Sequence, residues 1–565
     1  MPDTRTLDRT SPEPRDRRAP RGLRGLPLAV WAAVAFFAAT MTFWSIADPT
    51  YRSADEPDHV SAAIYWETYH SWPGFKEMPR MASVDASVKI SGVRSTTKPV
   101  EQRPALSAIE ATPRPDRHSF RELGSGTDTL VNKAGQHPPG YSALLGTVAD
   151  VLPATIPWDL EVWIFRMISV LLLTPLPLAA ALIARRLGAN RVVISAAALS
   201  VLAIPQLAVV GGAVNNDNLL NAAGAWIALG TVHVLTGDFR RRTALWVGLV
   251  SAVALLTKAW SLPLVAVVVL AYLVAAVRER SLRRVIAPAL IFVVAAMAGG
   301  WWWIHNVVVY GKVQPAGHFD PLKTGPLATA DTLHLMKDQF ESVFPTRFWA
   351  LLSIKSGALA YPTWIPAVLS VVLLAILLAG LALSPRLGVK RATVVVMILP
   401  TLLTLAILLE SVYSLTRKTG VAAGVQGRYL YSSIVPLLVV AVIGLAALLG
   451  LVSRGRAGDD GQAGSAHVTA ARFTAARLVA LLVGVFGVVY TVVSMGRAIS
   501  WHFGEEHWSN PLDSLGDLAA WSPLPYALSV VVMIAFVVAA FFALVAAALS
   551  VRAMPARATP VSVDA

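Results

Sequence analysis

Twelve apolar runs separated by polar segments set the pattern of this chain. They fall near 26–47, 160–184, 191–210, 217–236, 243–258, 260–277, 283–304, 360–383, 392–411, 429–451, 474–497 and 524–550. Most approach the roughly 20 residues that a helix needs to cross the hydrocarbon of a bilayer. The pattern predicts an all-α polytopic membrane protein of roughly twelve transmembrane helices, in one membrane domain over 26–550. The division between 243–258 and 260–277 is the tightest. The first run ends in Ser45-Ile46-Ala47, a small-x-small sequence of the kind that signal peptidases cut. Its apolar stretch is longer than the about 7–15 residues of a signal core, so an uncleaved first span is expected.

The polar segments sort into two alternating sets. One carries Arg185, Arg186 and Arg191; Arg240, Arg241 and Arg242; Arg278, Arg280, Arg283 and Arg284; Arg386, Lys390 and Arg391; and Arg454, Arg456 and Arg472. An excess of Lys and Arg marks cytoplasmic loops, so this set predicts the cytoplasmic face. The Arg- and Pro-rich residues 1–25 read as a disordered basic cytoplasmic tail, and 551–565 as a second cytoplasmic tail. The other set holds the long connections: 48–159 as the first extracytoplasmic loop, 305–359 as the fourth, and 412–428 and 498–523. Tryptophans gather at the edges of this face, as an interfacial aromatic belt does. Trp66 and Trp508, inside loops, are the two best placed to stack on a sugar ring.

Composition narrows the class. Only 15% of the chain is charged, against about 25% for soluble domains. The net charge of +14 is spread over short clusters and forms no basic patch with interleaved aromatics, so nucleic acid is not the expected partner. With no cysteine, disulfides, thiolate metal sites and cysteine nucleophiles are excluded. No internal repeat is evident, and no acidic or basic residue stands isolated at the middle of a run, where the coupling groups of transporters sit.

The polar chemistry gathers at the second face. In SADEPDHV, Pro57 suits the first turn of a helix, and Glu56 and Asp58 suit its dipole. Val60, Ala63, Ile64 and Glu67 then share one side of a helix along the membrane surface. Capping accounts for one or two acids and leaves a run of three beside His59 over. Asp55, Asp58 and His59 also offer ligands for Mg or Mn. AGQHPPGY places His137 and Tyr141 at a helix entry, and Asn215, Asn216, Asp217 and Asn218 form a polar turn longer than capping needs. Lys258 and Arg428, the latter beside Tyr429, break the charge bias of their face, and an anionic partner would explain both. A carboxylate with two cations at one rim suits sugar transfer from a lipid phosphate: a base for the acceptor hydroxyl and a clamp for the departing phosphate.

These residues resemble the GT-C glycosyltransferases, multi-span enzymes with an acidic motif in the first outer loop that use polyprenyl-phosphate sugars. More closely, the chain resembles a bacterial predicted-membrane-protein family of undetermined function placed among them. ADEPDHV, GQHPPGY, NNDNLL, LLTK, RFWALL and QGRYLYSSIVP carry the resemblance, in that order, over about 25 to 450. It implies a GT-C-like bundle in the bacterial cytoplasmic membrane, with Asp55 as base and Glu56 beside it as the catalytic pair. It further implies Lys258 and Arg428 at the donor phosphate, with His137 and Asp217 lining the site; Tyr141, Asn216, Arg347 and Tyr429 are further candidates for substrate binding. After Phe348-Trp349 the family has small residues and glycines, whereas this chain reads ALLSIKSG, which includes Lys355.

The expected function is a membrane glycosyltransferase moving a sugar, with inversion, from a polyprenyl-phosphate donor to an extracytoplasmic cell-envelope acceptor, a glycan or lipid. A divalent cation, Mg or Mn, is an open cofactor. The alternatives are a transporter or flippase of a lipid-linked sugar or other amphiphile, and a non-enzymatic envelope assembly protein.

Overall fold

A computed structural model describes residues 23–91, 106, 110–315, 322, 325–349, 351–352, 361–456, 466–505 and 510–552. The tail through residue 22, Lys355, Trp508 and the tail from 553 lie outside the described residues.

The protein is an all-α polytopic membrane fold. Ten helices are long and apolar enough to cross a membrane: Leu28–Ala47, Trp158–Arg186, Asp217–Leu235, Ala259–Glu279, Leu282–Tyr310, Trp364–Leu387, Arg391–Thr419, Gly427–Gly450, Arg477–Phe503 and Tyr526–Ser550. Each lies on one of the expected apolar runs. The remaining two runs behave differently. Residues 191–210 fold as Arg191–Ala203 and Pro205–Gly211, bent by 68°. Pro205, which lacks an amide hydrogen and clashes with the preceding turn, accounts for the break. The run 243–258 yields the 15-residue helix Arg241–Leu255, about 22 Å long at 1.5 Å per residue and so shorter than the hydrocarbon.

Small residues let helices meet backbone to backbone, which in lipid replaces the missing hydrophobic drive. A Cβ on Gly299 would lie 2.1 Å from the Ala252 carbonyl oxygen, so Leu282–Tyr310 rests directly on Arg241–Leu255. The first and last spans close the bundle, with Phe36 and Phe43 packed on Phe536 at ring separations of 5.6 and 5.1 Å. Trp364–Leu387 leaves Val368, Val371, Leu374 and Leu378 exposed. Such an apolar face on a bundle of this kind belongs against lipid.

Hydrogen bonds gather near the helix ends. At one, Arg186 Nε donates to Thr236 Oγ1 (2.7 Å) and Arg391 Nη2 to the Ala382 carbonyl (3.2 Å). At the other, Asn215 donates to the Ala54 carbonyl, Arg114 to the Ala519 carbonyl and Arg347 to the Val425 carbonyl. The described residues between 48 and 157 form the helices Glu56–Tyr69, Ala82–Ile90 and Gly140–Ala149 with a two-stranded antiparallel ribbon, Pro79–Met81 against Thr127–Val131. Val60, Ala63 and Ile64 are buried as their helical spacing predicts. Trp66 packs over Gly146, where Gly140–Ala149 crosses Glu56–Tyr69.

Candidate functional site

Asp55 occupies the position before the helix Glu56–Tyr69 and does not cap it. Its backbone is left-handed (φ 61°), and its side chain makes no capping bond. Aspartate tolerates this region better than most residues, though at some cost in strain. The conformation turns the carboxylate away from the helix end. There Arg428 Nη2 donates to Asp55 Oδ2 at 2.6 Å.

Arg428 is buried and heads the turn Gly427–Ser433. Its Nε also faces Asp217 Oδ2 at 3.3 Å, out of line for a hydrogen bond. Asp217 Oδ1 in turn accepts from Lys258 Nζ at 2.6 Å. Lys258 Nζ lies 4.8 Å from the centre of the Tyr429 ring, which packs on Trp260 at 5.0 Å. Four charged groups of alternating sign, Asp55, Arg428, Asp217 and Lys258, thus form one zigzag from four separate segments. Arg428, Asp217 and Lys258 are buried, while 58% of the Asp55 side chain is exposed. The cleft beside them, about 390 Å³ with its open solvent, is lined by Ser53, Ala54, Asn215, Arg347, Gln426 and Arg428.

Electrostatics follow from this geometry. Burial disfavours the charged form of Asp55, but Arg428, His59 and Lys258 together outweigh it and hold the carboxyl below the usual carboxylate range. His59 is buried edge-on to Tyr141 at 6.2 Å. Burial lowers its pKa to about 4 despite the opposing pull of Asp55, so it is neutral at pH 7.

Close approach keeps the zigzag together. A Cβ on Gly224 would stand 1.9 Å from the Ser432 carbonyl oxygen. Only glycine lets the helix bearing Asp217 touch the turn bearing Arg428. The polar turn before Asp217 is pinned by its own asparagines: Asn218 Nδ2 donates to the Val210 and Ala213 carbonyls, and Asn215 Oδ1 accepts from the Asp217 amide.

The other expected residues divide. Glu56, expected beside Asp55, is fully buried. Its oxygens accept from Arg166 Nε (2.8 Å), Arg166 Nη2 (2.7 Å), the Tyr51 amide (2.8 Å) and the Val214 amide (3.0 Å). Its acceptor sites are thus taken by Arg166 and two backbone amides. Tyr141 is also a pin, its hydroxyl bonded to Ser169 Oγ (2.7 Å) and accepting from the Asn215 amide (3.1 Å). His137 ends the turn before Gly140–Ala149, and its carbonyl accepts from Trp72 Nε1 at 3.0 Å. Asn216 is buried next to Asp217, with Oδ1 lacking a hydrogen-bond partner among the described residues. Arg347 donates to the Val425 carbonyl (2.5 Å) and borders the cleft.

For a metal the residues do not fit. Asp58 lies toward Arg80 at 3.8 Å, and Asp55 is spent on Arg428. Among the described residues no three His, Asp or Glu side chains are grouped to hold a metal ion.

Two residues escaped the sequence reading. Arg166 lies inside the span Trp158–Arg186 and is neutralised by Glu56, and its charge within an apolar run was the available signal. Asp48, at the end of the first span, is buried. Ser53 Oγ donates to its Oδ2, and His502 Nε2 is 3.7 Å from its Oδ1. Burial raises its pKa to about 7 even though Arg166 and Ser53 pull the other way.

No curated protein matches the chain. Among solved structures, ArnT from Cupriavidus metallidurans in the apo state is 13% identical, with a TM-score of 0.40 over 91% of this chain and 76% of ArnT. The same protein bound to undecaprenyl phosphate gives 13% and 0.39, over 91% and 77%. The oligosaccharyltransferase AglB from Archaeoglobus fulgidus, in complex with an inhibitory peptide and a dolichol-phosphate, is 12% identical with a TM-score of 0.40. Those figures cover 83% of this chain and 56% of AglB. The family described as Predicted membrane protein (DUF2142) matches residues 36–441. With most of its length matched, the chain belongs to that family.

Proposed function

We propose that this protein is an integral membrane glycosyltransferase of GT-C type. It moves a sugar from a polyprenyl-phosphate donor to a hydroxyl of a cell-envelope acceptor on the extracytoplasmic side, with inversion. One observation carries the reading: Asp55, Arg428, Asp217 and Lys258 form a single ionic zigzag at one end of the bundle, with Asp55 more than half exposed and Arg428 in the wall of a cleft.

In this reading Arg428 and Lys258 receive the donor phosphate. A phosphate oxygen on Arg428 takes the place of Asp55 Oδ2, and the released carboxylate regains basicity because its nearest cation is shared. The acceptor hydroxyl then attacks the anomeric carbon while the bond from that carbon to the phosphate oxygen breaks. The electron pair goes to the phosphate, steadied by the two cations, and the hydroxyl proton goes to Asp55. The leaving phosphate is a stable anion, so no proton donor is needed. One in-line displacement inverts the anomeric centre. Arg347 borders the cleft, Tyr429 packs beside Lys258, and Asn216 lies next to Asp217. A transporter calls instead for a polar site near mid-bundle, whereas this ionised cluster sits at one end.

The test is transfer in membranes supplied with labelled polyprenyl-phosphate sugars, Asp55→Asn against the unaltered protein. Loss of transfer by about 10²–10⁴-fold is expected for removal of a general base. Product formed by the variant at the unaltered rate overturns the assignment.

A further inference from the structure

A larger cavity lies away from the zigzag. It measures about 1080 Å³ with its open solvent, against about 390 Å³ for the cleft at Arg428, and about 270 Å³ of it admits water-sized guests. The turn that Arg428 heads leads into the helix Ile434–Arg456. Later along that helix Ile443, Ala446, Ala447 and Gly450 wall the cavity, sharing one face at the i, i+3, i+4 and i+7 spacing. Three of the four are Ala or Gly, and a Cβ on Gly450 would meet nothing within 4 Å. Val193 and Val389 add to the apolar wall. Native interiors hold few voids larger than a water, so open apolar space of this size calls for an occupant.

The rim decides its chemistry. Segments 184–193, 386–391 and 443–450 hold Arg185, Arg186, Arg191, Arg386, Lys390 and Arg391, and no acid. Arg386 lines the cavity, is exposed, and makes no hydrogen bond or ion pair among the described residues. Arg186, Arg191 and Arg391 bond only to neutral groups: Thr236 and the Gly25 and Ala382 carbonyls. Charge bias explains cations at this face, but not an apolar chamber that opens beneath them. The wall is poor in polar partners for a sugar or a base. Asn190, at the mouth, spends its Oδ1 on the Val192 and Val193 amides. The combination fits an anion at the rim joined to hydrocarbon within. Basic pockets between membrane helices on the cytoplasmic side take acidic lipid headgroups for this reason.

We infer that this cavity binds an anionic phospholipid of the leaflet at the basic end, with its phosphate on Arg386 and part of one acyl chain against Ala446, Ala447 and Gly450. At roughly 30 Å³ per water, the free volume suits about nine water-sized units. A methylene is of similar size, so part of one chain enters and the rest stays in the bilayer. The lipid offsets some of the unbalanced positive charge and joins the Arg186–Arg191 turn, the turn Ser384–Leu387 and the helix Ile434–Arg456. It is no substrate of the zigzag, which lies at the other end of that helix, and the inference does not rest on the transferase reading.

The experiment is native mass spectrometry of the full chain, stripped in neutral detergent and titrated with phosphatidylglycerol. Phosphatidylcholine and soluble glycerol phosphate are the comparison ligands. Phosphatidylglycerol is expected to stay bound in preference to phosphatidylcholine, and glycerol phosphate is expected not to displace it. Its affinity should fall about fivefold in Arg386→Gln, the loss of one basic group at an acidic lipid. In Ala447→Phe, which fills the space of the chain, it should fall about tenfold or more. Arg283→Gln removes a basic residue away from the cavity and should leave it within about twofold. Thermal midpoints in detergent report folding. Where Ala447→Phe lowers the midpoint, Gly450→Leu fills the same space from a position whose Cβ displaces nothing. Equal retention of the two phospholipids, or displacement by glycerol phosphate at equal affinity, overturns the inference. So does an affinity unmoved by Arg386→Gln or by the cavity-filling variant, or a loss in Arg283→Gln as large as in Arg386→Gln.

Discussion

Arg428 Nη2 lies 2.6 Å from Asp55 Oδ2, although 373 residues separate the two in sequence. Arg428 also faces Asp217, so a single guanidinium spans the two acids of the site. A planar fork can do this, whereas an ammonium is a point charge on a flexible stem. Arg428→Lys is therefore expected to fold and insert, and to raise the KM for the lipid-phosphate donor by about tenfold or more through loss of the forked contact. Initial rates at varied donor concentration check this, and an unchanged KM removes Arg428 from donor binding.

The two neighbouring acids Asp55 and Glu56 should respond oppositely to neutralisation. Glu56→Gln leaves the Arg166 charge buried without its counter-ion, which costs about 3–5 kcal/mol in comparable buried pairs. Asp55→Asn touches a half-open carboxylate and leaves the buried Arg428 facing Asp217, so it should cost less than the Glu56 change. Thermal midpoints in nanodiscs, taken at one scan rate, should fall sharply for the first variant and less for the second. The reverse order would show that Glu56 is not the clamp.

Stability should carry a pH signature from Asp48 and His59. The Asp48 carboxyl has a folded pKa near 7 against an ordinary value of 3.8. The folded state thus holds a proton that the unfolded chain releases, and this contribution weakens as pH rises from about 4 to 7. His59 has a folded pKa near 4 against 6.5, so its contribution grows with pH from about 4 to 6.5. The two oppose each other over most of that window. Asp48→Asn removes one of them, so its thermal midpoint relative to the unaltered protein should climb from pH 4 to pH 7 and level off above. A difference independent of pH would mean that Asp48 titrates normally.

Gly224 tests whether the zigzag depends on helix spacing. An added methyl would meet the Ser432 carbonyl oxygen at 1.9 Å and push Asp217 away from Arg428. Overpacking of this kind costs about 1–3 kcal/mol. Gly224→Ala should still insert, with a lowered midpoint and a donor KM raised in the same direction as in Arg428→Lys. Donor use at the unaltered level would show that the site tolerates a wider gap.

How much of this was visible in the chain depends on the distance over which each residue acts. Lys258 and Arg428 stood out because charge bias is a local property of each connection, and both break it. Asp55 stood out because a third acid exceeds what capping a helix requires. The role of Glu56 was hidden, since its partner Arg166 comes 110 residues later inside an apolar run. Tyr141 read as a site residue because its tether, the Asn215 amide, is also remote. The broken span had a local cause in Pro205. The shortness of Arg241–Leu255 did not, because the apolar pattern continues through Leu256 while the helix ends one residue earlier.

The zigzag has two negative and two positive members, so before any lipid arrives its formal total is zero. A donor diester enters with one negative charge and leaves as a monoester with a second. In the proposed transfer Asp55 becomes neutral at the same moment, so the new charge on phosphate is matched by the one lost from the carboxyl. Buried beside hydrocarbon, the site never has to hold a growing imbalance. The proton must then leave Asp55 before the next cycle, and the exposed side of its carboxyl gives it a route to water.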